Sequence, residues 1–268
     1  MKILNGQELV DFIKERQAKQ VRNLRQAHKV VPTLAIVQTS DNPVINMYVR
    51  LKKAYGADIL IDVEQHIVSD DDVATTIARL NESPHIHGII VQLPLQNPDT
   101  TDEILALVRP EKDVDGLAPN SPFDAATPTA INWLLTGYGI DLHSKSIAII
   151  GQGKLVGAPL ARMWRNSGMN VTCYDEETGV ANVRVHDLIV TATGHPDVLS
   201  TDDIQIGAVV VDAGTASENG KIVGDVSDEI RMRDDLTITP IRGGVGPLTV
   251  AALFDNVITA ARKTTLTQ

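Results

Sequence analysis

Tyr48 and Lys52 are the first side chains whose spacing could support chemistry. They stand four positions apart in the helix predicted over residues 44–57, so they share one face of it. The neighbouring Met47 and Leu51 indicate that this face packs against a sheet. A lysine partly removed from water has a lowered pKa and can act as a general acid or base. A solvated surface lysine is the competing interpretation.

Polar side chains also follow the strand predicted over residues 88–93. Gln92 lies near its carboxyl end, which is where open α/β sheets bind ligands, and its amide could hold a lysine amine. Asp113 and Asp115 bracket Val114, so in an extended segment they point to opposite sides and one of them could face a cleft. Loop anchoring is the alternative for Gln92, and solvation or capping is the alternative for the two acids.

A glycine-rich turn joins the strand predicted over 147–150 to the helix predicted over 158–167. Its glycines, Gly151, Gly153 and Gly157, have the spacing G-x-G-x-x-x-G, one residue longer than the usual dinucleotide fingerprint. Glycines let the backbone approach a pyrophosphate, and the helix N-terminus offers it unpaired N–H groups. A plain strand-to-helix turn that binds nothing is the alternative.

Asp175 follows the strand predicted over 170–174 and lies 24 positions after Gly151. A carboxylate near that spacing binds the adenosine ribose of NAD. Glu176 and Glu177 add negative charge that would repel the 2′-phosphate of NADP, so NAD is favoured. A solvated acidic loop is the competing interpretation.

The elements that would position these residues alternate between strand and helix, which predicts parallel sheets in an α/β architecture. Two α/β domains are expected, linked through residues 110–122, which are rich in proline and glycine. The predicted strands cover residues 33–38, 57–63, 88–93, 147–150, 170–174, 188–191 and 208–212, with a short extended segment at 223–226. The predicted helices cover residues 6–29, 44–57, 70–80, 103–108, 129–138, 158–167, 181–185 and 248–262.

Composition narrows the class of protein. The 268 residues carry a formal net charge of -10, which disfavours nucleic acid as a partner. Cys173 is the only cysteine, so an intrachain disulfide is impossible, and no apolar run suits a signal peptide or a membrane span. His85 and His87 lack a third ligand nearby, so no metal is expected. We expect a cytoplasmic protein without a membrane partner.

Ten short segments, taken in order, resemble motifs of one family, the bifunctional methylenetetrahydrofolate dehydrogenase/methenyltetrahydrofolate cyclohydrolases. The resemblance covers nearly the whole chain and is highly specific because so many motifs keep their order. The segments are ILNG (3–6), YVRLKK (48–53), GIIVQLPL (88–95), PEKDVDG (110–116), TP (127–128), VGAP (156–159), ATGHP (192–196), VDAG (211–214), VGDV (223–226) and GGVGPLTVAAL (243–253).

The resemblance implies an N-terminal α/β catalytic domain and a Rossmann-type dinucleotide-binding domain with a cleft between them. The folate-binding domain would comprise residues 1–118 plus 249–268, and the dinucleotide-binding domain residues 119–248. The substrates would be tetrahydrofolate derivatives, the cofactor NADP or NAD, and the assembly a homodimer through the second domain. Methylenetetrahydrofolate would be oxidised to the methenyl form, which would then be hydrolysed to 10-formyltetrahydrofolate.

The resemblance also implies roles for individual residues. Lys52 would be the catalytic lysine of the hydrolysis, Gln92 would position it, Tyr48 would orient the folate and Asp115 would hold the pterin ring. The residues implied to bind substrate are Tyr48, Lys52, Gln92, Leu93, Pro94, Asp115, Gly243, Gly244 and Pro247. The residues implied to bind the cofactor are Gly151, Gln152, Gly153, Val156, Gly157, Asp175, Thr193, Gly194 and Thr215.

Several positions depart from the family pattern, mostly on the nucleotide side. Gln152 and Gly153 stand where the family has Arg-Ser, Arg242 replaces a proline, and Ile45 replaces a serine. Loss of an arginine that binds the 2′-phosphate again favours NAD. A cyclohydrolase with an impaired nucleotide site and a non-catalytic paralogue that binds folate or a protein remain alternatives. A dehydrogenase for another small acid would need a catalytic His or Arg pair that the sequence does not offer.

Overall fold

The computed structural model describes residues 1–214, 216–218 and 221–266. Among these residues, no helix combines the length and the apolarity needed to cross a membrane. The helices are α1 (Gly6–Ala27), α2 (Pro43–Asp58), α3 (Asp70–Glu82), α4 (Thr101–Ala106), α5 (Ala126–Gly137), α6 (Gly157–Asn166), α7 (Asp228–Arg231) and α8 (Val245–Leu266). The strands are β1 (Lys2–Ile3), β2 (Thr33–Gln38), β3 (Asp62–Ile67), β4 (Gly88–Val91), β5 (Ser146–Ile150), β6 (Asn170–Tyr174), β7 (Leu188–Thr191), β8 (Val209–Asp212), β9 (Ala216–Glu218), β10 (Lys221–Val223) and β11 (Thr237–Ile238).

The first compact unit, here the three-stranded unit, comprises Asp11–Ala126 and Val250–Gln268. Its strands run parallel in the order β3-β2-β4. Every residue of β2 and β4 is buried, as expected for parallel strands covered on both faces, whereas the edge strand β3 is only partly buried. Helix α3 and the chain around α4 pack on this sheet through Ile77, Leu80 and Leu105. The predicted α/β class is confirmed for this unit.

Helix α2 carries Lys52, and the residues at its N-terminus fix where the helix begins. The Asn42 side chain accepts a hydrogen bond from the Val44 N–H, and Pro43 occupies the first turn, where a missing N–H costs nothing. Ile45 and Val49 are buried. Because Tyr48 and Lys52 lie beside this buried face, both are only half-exposed.

The second compact unit, here the six-stranded unit, comprises Met1–Val10 and Thr127–Thr249. Its sheet has the order β1-β11-β8-β7-β5-β6, and every pairing is parallel. The chain runs from β5 to β6 on one side and then to β7 on the other, so β5 marks a topological switch point. The carboxyl ends of β5, β6 and β7 therefore meet at one edge of the sheet. Strands β9 and β10 form a separate antiparallel pair.

Three element predictions were wrong or incomplete. The strand predicted over 57–63 begins later, because α2 continues to Asp58 and the apolar Ile59 and Ile61 are buried in the connection before β3. The helix predicted over 181–185 is a single 3-10 turn, Val183–Val185. The segment predicted as extended over 223–226 belongs to β10 only at its first residue. The two-residue strands β1 and β11 were not predicted, since two residues display no periodicity.

The unit boundaries differ from the predicted domain limits of 1–118 plus 249–268 and 119–248. The first ten residues lie in the six-stranded unit, because β1 pairs with β11 and the Asn5 N–H donates to the Tyr138 hydroxyl at 3.0 Å. Residues 119–126 lie in the three-stranded unit, where Asn256 Nδ2 donates to the carbonyl oxygens of Val114 and Asp124 at 2.9 and 3.0 Å. Hydrogen bonds between residues more than 130 positions apart thus tie both segments to their units.

Candidate functional site

Lys52 and Gln92 meet at the carboxyl edge of the three-stranded sheet. The Lys52 Nζ donates a hydrogen bond to Gln92 Oε1 at 2.6 Å. The Gln92 backbone N–H continues the sheet ladder by donating to the Val37 carbonyl at 2.8 Å, and its Nε2 donates to the Leu93 carbonyl at 3.1 Å. Because the amide NH2 is engaged by Leu93, the amide oxygen is the atom that faces the lysine.

Asp115 completes a charged cluster with Lys52. Burial lowers the pKa of the Lys52 ammonium, and the negative charge of Asp115 partly opposes that effect. Burial raises the pKa of Asp115 to about 6, and here the positive charge of Lys52 opposes the effect while Asp113 adds to it. Both groups can therefore change protonation state far more easily than solvated side chains of the same kind near neutral pH.

Asp113 and Asp115 have different roles. Asp113 stabilises the loop, and Asp115 is the acid that interacts with Lys52. Asp113 is buried, bridges in parallel to Ile89, and its Oδ2 accepts a hydrogen bond from the Ala118 N–H at 2.8 Å. Gly116 follows with a φ of +71°, and a Cβ there would lie 2.7 Å from the Ala125 nitrogen. Asp113 and Gly116 therefore shape the loop, which leaves Asp115 to interact with the lysine.

Three other predicted folate-side residues lie near Lys52 or Gln92 along the chain. Tyr48 stands one turn before Lys52 on α2, and burial raises the pKa of its hydroxyl, so the phenol stays neutral. Leu93 is half-buried against the core of the sheet, and Pro94 is exposed after a cis peptide bond. They add apolar and aromatic side chains to the two elements that carry Lys52 and Gln92.

The glycine loop after β5 has the close approaches that predict a phosphate cradle. Gly151 has a φ of +92°, and a Cβ at Gly157 would lie 1.8 Å from the Gly151 carbonyl oxygen, so neither position accepts another residue. A Cβ at Gly153 would meet no heavy atom of the described residues within 4 Å. Val156, which cannot cap a helix with its side chain, precedes α6. The Ala158 N–H already donates to the Gly153 carbonyl at 3.2 Å, and Pro159 has no N–H. Gly157 is therefore the residue of this first turn whose N–H suits the pyrophosphate of a dinucleotide.

Gln152 and Asp175 follow β5 and β6 at the carboxyl edge of the six-stranded sheet, and only Asp175 is charged. The Gln152 Nε2 donates to the Gly151 carbonyl at 3.0 Å. Asp175 is exposed, and its Oδ1 accepts hydrogen bonds from the backbone N–H groups of Thr178 and Glu177 at 2.9 and 3.1 Å. These bonds lower the pKa of Asp175, so it remains ionised near neutral pH.

Thr193 and Gly194 follow β7 at the same edge of the sheet as the glycine loop. The Thr193 N–H and hydroxyl both donate to Asp225 Oδ2, at 2.6 and 2.9 Å. Gly194 has a φ of +70°. Both the hydroxyl and the N–H of Thr193 are thus used within the protein, and they fix the conformation of the turn. Thr215, the last predicted cofactor residue, lies outside the described residues.

The glycines predicted to bind substrate after β11 form a tight turn within the six-stranded unit. Gly243 has a φ of +83°, and the Gln7 N–H donates to its carbonyl at 3.2 Å. A Cβ at Gly6 would lie 1.9 Å from the Gly244 carbonyl oxygen. Pro247 is half-buried in the first turn of α8. The turn is therefore fixed by close packing against the start of α1.

Three residues without a predicted role join several strand ends of the six-stranded sheet, namely Asp212, Asp225 and Arg231. Asp212 pairs with Arg231, and the side chains are only 4% and 11% exposed. Arg231 Nη1 also donates to the Thr239 carbonyl at 2.7 Å. The signal was present in the VDAG and VGDV segments, each of which places an acid at the carboxyl end of a strand or just after one.

His87, one of the two histidines of the sequence His85-x-His87, has a structural role. His87 is buried, and its Nδ1 accepts a hydrogen bond from the Thr33 N–H at 3.2 Å. Burial lowers the pKa of His87, so it stays neutral as a structural acceptor. Within the described residues, no group of three or more His, Cys, Asp or Glu side chains could hold a metal ion.

Two family models match consecutive parts of the chain. The model described as the catalytic domain of tetrahydrofolate dehydrogenase/cyclohydrolase matches residues 4–115. The model described as the NAD(P)-binding domain of tetrahydrofolate dehydrogenase/cyclohydrolase matches residues 125–265. The first matched range contains the Lys52 cluster, and the second contains the glycine loop after β5.

Similar proteins match over almost the full length. The bifunctional protein FolD of Nitratiruptor sp. is 34% identical over 98% of this chain and 99% of its own. The crystal structure of the bifunctional enzyme FolD from Campylobacter jejuni has a TM-score of 0.92 and 33% identity, covering 98% of this chain and 99% of that chain. The Trypanosoma brucei enzyme, solved with NADP cofactor and inhibitor, has a TM-score of 0.90 and 28% identity, covering 98% and 97%.

Proposed function

This chain belongs to the tetrahydrofolate dehydrogenase/cyclohydrolase family, and we propose on that basis that Lys52, Gln92 and Asp115 form its hydrolytic site. The protein oxidises 5,10-methylenetetrahydrofolate to the 5,10-methenyl form and hydrolyses that product to 10-formyltetrahydrofolate. The single observation that carries the assignment of the site is the 2.6 Å hydrogen bond from Lys52 Nζ to Gln92 Oε1. It fixes a partly desolvated amine at the carboxyl edge of a parallel sheet.

Hydrolysis requires a group that first accepts and then returns a proton. Water attacks the electrophilic methenyl carbon and loses a proton as the new C–O bond forms. Cleavage of the bond from that carbon to N5 then requires a proton on N5. Because burial lowers the pKa of Lys52, its neutral amine is accessible as the proton acceptor, and the resulting ammonium is the proton donor.

Gln92 and Asp115 adjust that lysine. The Gln92 oxygen accepts one N–H of Lys52 and so orients the remaining positions of the amine towards the substrate side. The negative charge of Asp115 raises the pKa of Lys52, which keeps the ammonium form within reach. Asp115 is also the acid proposed to hydrogen-bond the pterin ring, and the neutral phenol of Tyr48 orients the folate. Leu93 and Pro94 extend the substrate contact.

Oxidation requires alignment more than acid–base chemistry, because a hydride leaves the methylene carbon without a proton. A bound nicotinamide dinucleotide supplies hydride acceptance. The residues proposed to hold it are those that fit a pyrophosphate at the start of α6, namely Gly151, Gln152, Gly153, Val156 and Gly157, with Asp175, Thr193, Gly194 and Thr215 completing the set. Gly243, Gly244 and Pro247 are proposed to support the folate during this step.

NAD is proposed as the preferred dinucleotide. The ionised Asp175, with Glu176 and Glu177 beside it, would repel the 2′-phosphate of NADP and accept the ribose hydroxyl of NAD. Gln152 is uncharged and cannot replace the arginine that the resemblance leads one to expect there. Rates of nucleotide reduction with NAD and NADP, measured at equal concentrations, test this preference. A higher kcat/KM with NADP would contradict it.

A homodimer through the six-stranded unit is the assembly proposed from the resemblance to the family. Sedimentation velocity over a range of protein concentrations measures the mass directly. A monomer at every concentration would contradict this proposal and would leave the assignment of the hydrolytic site unaffected.

The central experiment measures both activities of one preparation. Methylenetetrahydrofolate with NAD or NADP should give reduced nicotinamide, and methenyltetrahydrofolate should be hydrolysed without any nucleotide. Hydrolysis without reduction of either nucleotide would identify a cyclohydrolase only. A Lys52→Met variant that hydrolyses at the wild-type rate would refute the proposed site.

A further inference from the structure

We propose that Asp225 and Thr193 form a positioning pair that holds the turn after β7 in the conformation that binds the nicotinamide dinucleotide. The inference rests on the proposed placement of the dinucleotide at the carboxyl edge of the six-stranded sheet. Neither the glycine loop nor the acidic residues after β6 take part in the pair. Asp225 acts through Thr193 and is not a contact of the ligand.

One carboxylate oxygen binds both donors of Thr193. The N–H and the hydroxyl reach Asp225 Oδ2 at 2.6 and 2.9 Å, so the backbone and the side chain of the same residue are fixed together. The Thr193 oxygen in turn accepts the His195 N–H at 3.0 Å. The turn from Thr193 to His195 is therefore organised around a single hydroxyl, with Gly194 at a φ of +70° between them.

Asp225 is itself held rigidly. Its backbone N–H donates to Asp212 Oδ1 at 3.1 Å, and the next N–H, of Val226, donates to Asp212 Oδ2 at 3.1 Å. Asp212 pairs with Arg231, so the chain of contacts ends in a nearly buried ion pair. A Cβ at Gly214 would lie 1.7 Å from Asp225 Oδ1, so only glycine leaves room for the carboxylate.

The burial of Asp225 shows that it positions Thr193 and does not bind the ligand itself. Asp225 is 0% exposed, so a ligand cannot reach it. Its Oδ1 has no hydrogen-bond partner among the described residues, so the hydrogen bonds to the turn are made by Oδ2. Burial raises the pKa of Asp225, and the two hydrogen bonds from Thr193 oppose that effect because they favour the ionised carboxylate. The buried carboxyl group of Asp225 therefore fixes the geometry of one turn beside the switch point of the sheet.

Thr193→Val and Thr193→Ser form the matched pair of variants that tests the inference. Valine keeps the shape and removes the hydroxyl, whereas serine keeps the hydroxyl. We measure the Kd of NADH and of NADPH by the change in dinucleotide fluorescence, with no turnover. The valine variant should bind the preferred dinucleotide about 10-fold more weakly, as expected for the loss of hydrogen bonds to a charged group, and the serine variant should bind within about 2-fold of wild type. Equal Kd values for wild type and the valine variant would overturn the proposal.

Hydrolysis of methenyltetrahydrofolate, which needs no nucleotide, reports whether each variant is folded. It should be unchanged in Asp225→Asn, because Asp225 is buried and contacts no ligand, while the Kd rises. If the valine variant also loses hydrolysis, the Kd of Asp225→Asn tests the proposal instead. This variant is measured alone and combined with Thr193→Ser. Asparagine weakens the acceptor, so it should raise the Kd, and a wild-type Kd would overturn the proposal. Absence of binding by the wild-type protein would instead refute the proposed cofactor site itself, which is a separate and recognisable result.

Discussion

Lys52 and Asp115 oppose each other's response to burial. Removal from water lowers the pKa of the lysine and raises that of the acid to about 6, and each charge partly restores the other. The two groups therefore titrate as a coupled pair and not as independent side chains. A substrate that contacts either group will change the protonation of both.

Asp115 should make the protein less stable as pH rises from about 4 to about 6. Its pKa is raised in the folded state above the ordinary 3.8, so the stability it contributes is present below pH 3.8 and is lost as pH rises through about 6. The shift corresponds to a change on the order of 3 kcal/mol in the free energy of unfolding. Urea denaturation of wild type and Asp115→Asn at pH 4 and pH 7 measures the difference. A difference that is the same at both pH values would contradict the prediction.

Lys52→Met should abolish hydrolysis and leave oxidation largely intact. Loss of a general acid–base group costs about 10²- to 10⁴-fold in rate, whereas hydride transfer needs only alignment. Lys53→Met is the matched control, because Lys53 is the next residue on α2 and its Nζ donates to Gln65 Oε1 at 2.8 Å. Both rates are measured on each variant. Equal loss of hydrolysis in the two variants would point to a general defect of α2.

Gln92→Glu should move the pH dependence of hydrolysis to higher pH. A carboxylate at the position that now accepts the Lys52 Nζ adds an opposite charge and raises the pKa of the lysine, by about 1 unit or more. The pH profile of kcat/KM is the measurement. Gln65→Glu introduces the same charge beside Lys53 and should leave the profile unchanged. An unshifted profile for Gln92→Glu would show that Lys52 is not the titrating group.

Arg231→Met should destabilise the protein strongly. It leaves Asp212 nearly buried without its ion-pair partner, and breaking such a pair costs about 3 to 5 kcal/mol in the free energy of unfolding. Lys19→Ala removes one member of the exposed pair with Glu15 and should give no measurable change. Urea unfolding curves compare both variants with wild type. A small effect of Arg231→Met would mean that the hydrogen bonds to Asp212 suffice without the arginine.

The local sequence pattern was sufficient to predict those elements whose structure depends on few distant contacts. The strands predicted over 33–38, 170–174 and 188–191 coincide with β2, β6 and β7, because short apolar or alternating runs bounded by turns favour strands. The positions of Gly151 and Gly157 were likewise readable, since glycine is the residue that tolerates a close backbone approach. The strand predicted over 57–63 failed because apolar residues can also be buried in a connection.

Sequence alone thus determined the two α/β units, the family and the residue types available for chemistry, because these depend on periodicity and motif order along the chain. Only the tertiary structure decided which acid of the pair Asp113 and Asp115 shares the field of Lys52, since that depends on the Gly116 turn and on the bridge to Ile89. It alone also brought Asp225 to Thr193, which lie 32 positions apart. Contacts between residues so far apart follow from the folded arrangement of strand ends, which spacing along the chain does not encode.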